Sequence, residues 1–249
     1  MYFKIQGIVI KESAFGENSK HLSVLTAHRG VVFVTAKGAK KLSSSNFAVS
    51  QLFAFSEMTL YGSKGPYYTL TDAKLLENFY SLRNDPVVFS LACYFAELAA
   101  ISATVSEEDN ELLRLLLNSL WFLQENFDRH TFIKAVFELR MMFASGYLPD
   151  FYCSQCGAEV INGDFNIETG EFYCSYCNNS DESNQMSEVI AAMKYIASCD
   201  LKRLFAFTIS ESAQNKLTSL AERYLCYRVE GCYGKLSYYK NMAAELRKE

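Results

Sequence analysis

The dipeptide Asp85-Pro86 divides this chain of 249 residues into two kinds of sequence that no single-class fold accommodates. Before it, "YFKIQGIVI", "HLSVLTA", "GVVFVTA", "LFAFSEMTLYG" and "PYYTLTDAKLL" are short runs rich in β-branched and aromatic residues. Gly, Asn and Ser punctuate them in "FGENSK", "HRG", "KGAKKLSSSN" and "GSKGP". Five strands within residues 1–80, with no helical period between them, suit a small antiparallel barrel. The five-stranded oligonucleotide-binding barrel and the SH3-like barrel fit that periodicity equally well.

Beyond the dipeptide the period changes to that of helices. An aspartate N-cap accepts orphan amides and proline is tolerated at the first helical position, which predicts a helix from Pro86 to Thr104. Ser106 and Asp109 have capping-box spacing ahead of "EEDNELLRLLLNSLWFLQEN". A third helix, "HTFIKAVFELRMMFASG", ends at Gly146 with Pro149 just beyond. "SEVIAAMKYIASC" and "SAQNKLTSLAERYLCYRVEG" carry apolar residues at spacings of three and four. These helices are apolar around much of their circumference and must pack on each other or on the barrel. The expected class is α+β and multidomain.

The helical run is interrupted by "FYCSQCGAEVINGDFNIETGEFYCSYCNNS", in which Cys153/Cys156 and Cys174/Cys177 form two Cys-x-x-Cys pairs seventeen residues apart. This is the spacing of a four-thiolate zinc site, and Gly157 supplies the tight backbone a metal knuckle favours. A redox dithiol would need one pair opening a helix after a strand, a context that is absent. Four protein thiolates leave no open coordination position, so one structural zinc per chain is expected, without water activation. The neighbouring Phe151, Tyr152, Phe172, Tyr173 and Tyr176 either form a contact surface or pack the module onto the helices. Cys93, Cys199, Cys226 and Cys232 stand singly in apolar helical sequence and read as small core or semi-buried residues.

Charge divides along the chain as well. Residues 1–80 hold nine Lys/Arg against five acids, a net of +4, and the remainder has a net of −8. A polyanion would therefore meet the first segment. In "TAKGAKKLSSSN", Lys37, Lys40 and Lys41 follow a strand on a Gly/Ser loop suited to phosphate contact, with Phe15, Phe33 and Tyr61 as candidate stacking platforms. His21, His28 and His130 belong to no catalytic motif, and the chain has neither a phosphate loop nor a dinucleotide fingerprint, so an enzyme is not expected. The start has no secretory pattern, and "VVFSLACYFAELAAISATV" is broken by Glu97 before it could span a membrane, so a cytoplasmic protein is expected.

"GIVIKESAFGENSKHLSVLTAHRGVVFVTAKGAKK", "AVSQLF", "FELRMMFASGYLPDFYCSQCG" and the second Cys-x-x-Cys together resemble the bacterial RecO family in composition and order. The resemblance implies an oligonucleotide-binding (OB) fold over residues 1–80, helices over 81–150 and 183–249, and a zinc finger over 151–182. It further implies a cytoplasmic, nucleoid-associated protein that binds single- and double-stranded DNA and anneals complementary strands. Such a protein works with RecR, and in many bacteria RecF, to load RecA on gaps coated by single-strand-binding protein. By motif match, Lys20, Lys37, Lys40 and Lys41 take the family's basic positions, and Cys153, Cys156, Cys174 and Cys177 take its zinc-finger positions. Ser43 to Ser45 stand where relatives add further basic residues, Leu52 stands where a proline is usual, "GKLSYYKNM" lacks the Lys-Arg richness common there, and the helical half is acidic, which implies weaker DNA binding that leans on RecR. The alternatives are a zinc-stabilised protein-interaction scaffold with incidental DNA contact and a metal-dependent nuclease.

Overall fold

A computed structural model describes residues 1–62, 65–103, 111–178, 183–231 and 233–245. The capping box at Ser106 and Asp109, Lys64 and Cys232 lie outside the described residues. The chain forms two compact units, Met1–Gln124 and Glu125–Glu249.

The first unit is built on a closed barrel of five strands. They are β1 (Tyr2–Phe15), β2 (Ser19–Thr26), β3 (Val31–Ala36), β4 (Ala54–Tyr61) and β5 (Tyr67–Asn78). Their order around the barrel is β1-β2-β3-β5-β4, with β4 returning to β1. All neighbours are antiparallel except β3 and β5, which run parallel. One-turn helix α1 (Asn46–Val49), unheralded in the sequence, lies between β3 and β4. Alternation along the strands sends Leu22, Val24, Val32, Val34, Met58 and Leu60 into the interior. Closure gives each strand a hydrogen-bonded neighbour on both sides, the β3–β5 seam being the shortest, at three residue pairs. This is the OB-like architecture, and the SH3-like alternative falls.

The expected helix start is present: Asp85 Oδ1 accepts from the Val87 and Val88 amides at 2.8 and 3.0 Å, with Pro86 leading α2 (Pro86–Ser102). Such a cap is worth about 1 kcal/mol. α2 stops at Ser102, short of the expected Thr104, because Ala103 is already extended at φ −69°, ψ 121°. Its buried face, including Leu91, Phe95 and Leu98, belongs to the same unit as the barrel, where Phe89 meets the buried Phe53 edge-on at 5.9 Å. Phe53 has φ of 67°, a left-handed conformation unusual outside glycine, and its amide donates to Val9 O at 2.8 Å. α3 (Glu111–Glu125) completes the described helices here.

In the second unit α4 (His130–Met142) runs into a π-turn at Phe143–Tyr147, closed by Gly146 at φ 89° as its position predicts. Next come hairpin β6 (Gly163–Asn166) and β7 (Glu171–Cys174), the single turn α5 (Ser175–Asn178), and α6 (Ser183–Ser198) and α7 (Glu211–Arg228). A last helix, α8 (Tyr233–Glu245), has no counterpart in the sequence reading. α7 packs on α4 and α6. Arg140 on α4 donates to the Ile196 and Ala197 carbonyls at 2.7 and 2.9 Å, capping the end of α6 with a cation. Lys134, 2% exposed, lies between Glu138 at 2.8 Å and Glu222 at 2.9 Å, and Lys240 meets Glu222 at 2.6 Å. These four charges tie α4, α7 and α8 together.

Candidate metal centre and nucleic-acid interface

The two Cys-x-x-Cys turns come from different local structures. Cys153 and Cys156 form a knuckle in which the Gly157 amide, at φ 73°, donates to Cys153 O at 2.8 Å. Cys174 ends β7 and Cys177 sits one turn on, in α5. The knuckle is joined to the hairpin by a parallel bridge between Cys153 and Phe172 and by a bond from the Ser154 amide to Phe172 O at 2.9 Å.

The result brings all four sulfurs within 4.8 Å of one another, with Cys156 and Cys174 Sγ 3.7 Å apart. A metal about 2.3 Å from each of four sulfurs holds them about 3.8 Å apart, so the donor set fits a tetrahedral thiophilic ion. The backbone N–H of Cys174, and then that of Cys156, pulls the Cys153 thiol down to about 6. Cys177 is pushed up to about 12 by its hydrogen bond with the Cys156 sulfur and by partial burial. Four sulfurs so close cannot all be thiolates unless a cation neutralises them. Among the described residues, this is the one group of three or more His, Cys, Asp or Glu side chains near enough to share a metal.

Part of the module's aromatic set packs it onto the helices, as one of the two expected roles requires. Phe172 is buried between Phe151 at 5.4 Å and Phe165 at 4.7 Å, and Phe165 meets Tyr224 of α7 edge-on at 5.0 Å. Arg228 of α7 donates to Glu168 O at 2.9 Å, holding the hairpin's turn. Tyr152 and Tyr176 face solvent.

On the barrel, the four expected lysines prove unequal. Lys37 and Lys41 are exposed, and neither has a side-chain partner among the described residues. Lys40 is half-buried: its amide donates to Asn18 O at 3.1 Å and its ammonium to Gly16 O at 2.8 Å. The "KGAKK" loop is thereby pinned to the β1–β2 turn. Lys20, only 14% exposed, is ion-paired with Glu12 at 2.5 Å.

The candidate platforms Phe15, Phe33 and Tyr61 are all exposed, and each has a ring partner that the sequence reading missed. Phe15 lies on His21 at 3.9 Å, Phe33 stacks with Tyr67 at 5.2 Å, and Tyr61 meets Tyr2 at 4.9 Å. The partners come from other strands, and no local signal marks them. Of the single histidines, His130 Nδ1 lies 2.8 Å from the Tyr239 hydroxyl. Cys93, Cys199 and Cys226 are half-buried. No helix among the described residues is long and apolar enough to cross a membrane.

Comparison with known proteins gives a consistent result. Residues 1–79 match the family model "Recombination protein O N terminal", and residues 83–236 match "Recombination protein O C terminal". The chain is 32% identical to the DNA repair protein RecO of Acetivibrio thermocellus over 245 residues, which is 97% of each chain. It is 28% identical to that of Caldicellulosiruptor saccharolyticus, over 90% of this chain and 92% of the relative. It is 27% identical to that of Bacillus pumilus, over 100% and 97%.

Proposed function

Because this chain belongs to the RecO family of DNA repair proteins, we propose that it is a recombination mediator that binds single-stranded DNA on its barrel, anneals complementary strands and assists RecA loading with RecR. The observation that carries this reading is the pair of exposed cations Lys37 and Lys41, unpartnered among the described residues, on a loop pinned through Lys40 to Gly16, the neighbour of the exposed Phe15. Two polyanions repel each other, and cations on one rigid surface lower that repulsion while rings hold the bases. The net of −8 beyond residue 80 disfavours DNA elsewhere and confines the strand to the barrel. No bond is made or broken in this scheme, and the protein acts by capture and alignment.

The metal is assigned as zinc, one per chain, held by Cys153, Cys156, Cys174 and Cys177. With all coordination positions taken by protein sulfur it supplies no reactivity, and its contribution is the folding of the knuckle and the β6–β7 hairpin onto α7. RecR, and RecF where present, are the expected partners at RecA loading, with double-stranded DNA as a secondary ligand.

An annealing assay tests the proposal. Purified protein should accelerate pairing of complementary oligonucleotides at low salt, and less so as salt rises. A rate equal to that of protein-free strands at every salt concentration would reject it, and nicked or shortened product with divalent ions would favour a nuclease instead.

A further inference from the structure

Strand register places the barrel's exposed rings in an ordered array. In one row around the barrel, Lys11 of β1 pairs with Ser23 of β2, Ser23 with Phe33 of β3, and Phe33 with Tyr67 of β5. In the adjacent row, His21 pairs with Thr35, Thr35 with Thr69, Thr69 with Tyr61, and Tyr61 with Tyr2. The intervening Leu22, Val34 and Tyr68 are buried, so both rows point outward. Phe33, Tyr61 and Tyr67 are 41%, 50% and 73% exposed, an array of aromatic surface that gains by being covered.

The array is organised as pairs. Phe33 and Tyr67 are nearly parallel, at 23°, while Tyr2 and Tyr61 are inclined at 47° and Phe15 and His21 at 36°. Along the strands, among the described residues, the first two pairs are separated by threonines, with Thr35 and Thr69 two residues from Phe33 and Tyr67. A groove of about 320 Å³ opens beside the rings, with Lys11, His21, Phe33 and Tyr67 on its walls. Lys11 stands on the groove wall, and Lys37 comes one residue after the end of β3, four residues along the chain from Phe33. Flat apolar faces bordered by cations complement an unpaired polynucleotide, whose bases offer π-faces and whose backbone offers phosphates.

We infer that the ring pairs Phe33/Tyr67, Tyr2/Tyr61 and Phe15/His21 form a stacking track that holds an unpaired DNA strand by the faces of its bases and leaves their Watson–Crick edges free for a second strand. This rests on the proposed single-strand binding and adds its geometry. Stacking uses the face of a base, and pairing uses its edge, so a strand held in this way stays competent to pair. Once paired, each base is stacked on its neighbours within the duplex and gives up the ring. The track therefore favours reactant over product, and annealing itself drives release. Lysine contacts alone would hold duplex at least as well, since duplex carries more charge per unit length.

The test uses the full chain and an oligothymidylate carrying one 2-aminopurine, whose fluorescence is quenched when the base stacks. Wild type should quench it on binding. Phe33→Ala with Tyr67→Ala should lose the quench and weaken single-strand affinity about tenfold or more. The slope of affinity against salt and the affinity for duplex should be unchanged. Tyr67→Phe should behave as wild type, and circular dichroism should show the double variant folded, since both rings are exposed. Wild-type affinity and quenching in the double variant would overturn the track while leaving lysine-driven binding intact. So would a salt slope that falls with the affinity, because the rings would then serve only to place the lysines. Absence of single-strand binding by the wild type would reject the parent reading as well.

Discussion

The Lys20 ammonium lies 2.5 Å from Glu12 Oε2, one strand away across the β1–β2 hairpin, in an ion pair whose lysine is only 14% exposed. A cation committed in this way has little left for a phosphate. Lys37 and Lys41, at the free surface, have no such commitment among the described residues. Lys20→Gln should therefore leave single-strand affinity within about twofold and the salt slope unchanged. Lys37→Glu with Lys41→Glu should lower the slope of log affinity against log salt by at least about 1.4, the loss of two phosphate contacts on single strands. Fluorescence anisotropy across a salt series reads both, and a slope change on Lys20→Gln would return that residue to the DNA interface.

The charge cluster in the second unit predicts a stability profile. Although burial opposes its charge, Lys134 is raised above its ordinary value by Glu138 and then Glu222. Glu222 is also penalised by burial, yet Lys240 and Lys134 hold it below the ordinary carboxylate range. A raised lysine contributes stability that is present below about pH 10.4 and lost as pH climbs through its folded value. A depressed carboxylate contributes stability that is present above about pH 4.3 and lost as pH falls through its folded value. For these two groups, stability should be flat between roughly pH 5 and 9 and decline on both sides. Lys134→Met, which strips the fully buried Glu138 of its ammonium, should cost about 3–5 kcal/mol in urea melts. Lys134→Met with Glu138→Met should recover most of that loss. A double variant as unstable as the single would place the cost in packing instead of charge.

What could be read from the sequence depended on how local its cause was. The β-runs, the Asp85 cap and the Gly146 terminus each depend on a few adjacent residues, and all appear in the structure. The cysteine set was legible because two close pairs need only be brought together once. α8 was missed because "YGKLSYYKNMAAE" buries Leu236 and Tyr239 but otherwise carries little apolar periodicity. The unequal lysines and the ring pairs were hidden for a different reason. Glu12 reaches Lys20, and Tyr67 reaches Phe33, only through strand register, the second across a parallel β3–β5 contact between residues far apart in sequence. A basic residue in sequence is thus only a candidate until its neighbours on adjoining strands are known.

Glycine positions in the cysteine module separate metal binding from general stability. A Cβ on Gly163, at φ 156°, would lie 2.0 Å from Tyr173 O and 2.9 Å from Cys174 Cα, both backbone atoms that cannot swing aside. Gly163→Ala must therefore push β6 from β7 and displace Cys174 from the other sulfurs. A Cβ on Gly157, at φ 73°, meets nothing within 4 Å, so Gly157→Ala carries only the conformational cost of a left-handed residue, roughly 1–2 kcal/mol. Elemental analysis should find about one zinc per chain in the wild type and in Gly157→Ala, and far less in Gly163→Ala and in Cys174→Ser. The two zinc-poor variants should also melt earlier, because Phe165 and the Glu168 turn lose their hold on Tyr224 and Arg228 of α7. Full zinc content in Gly163→Ala would show that the knuckle and α5 gather the four sulfurs without the β6–β7 hairpin.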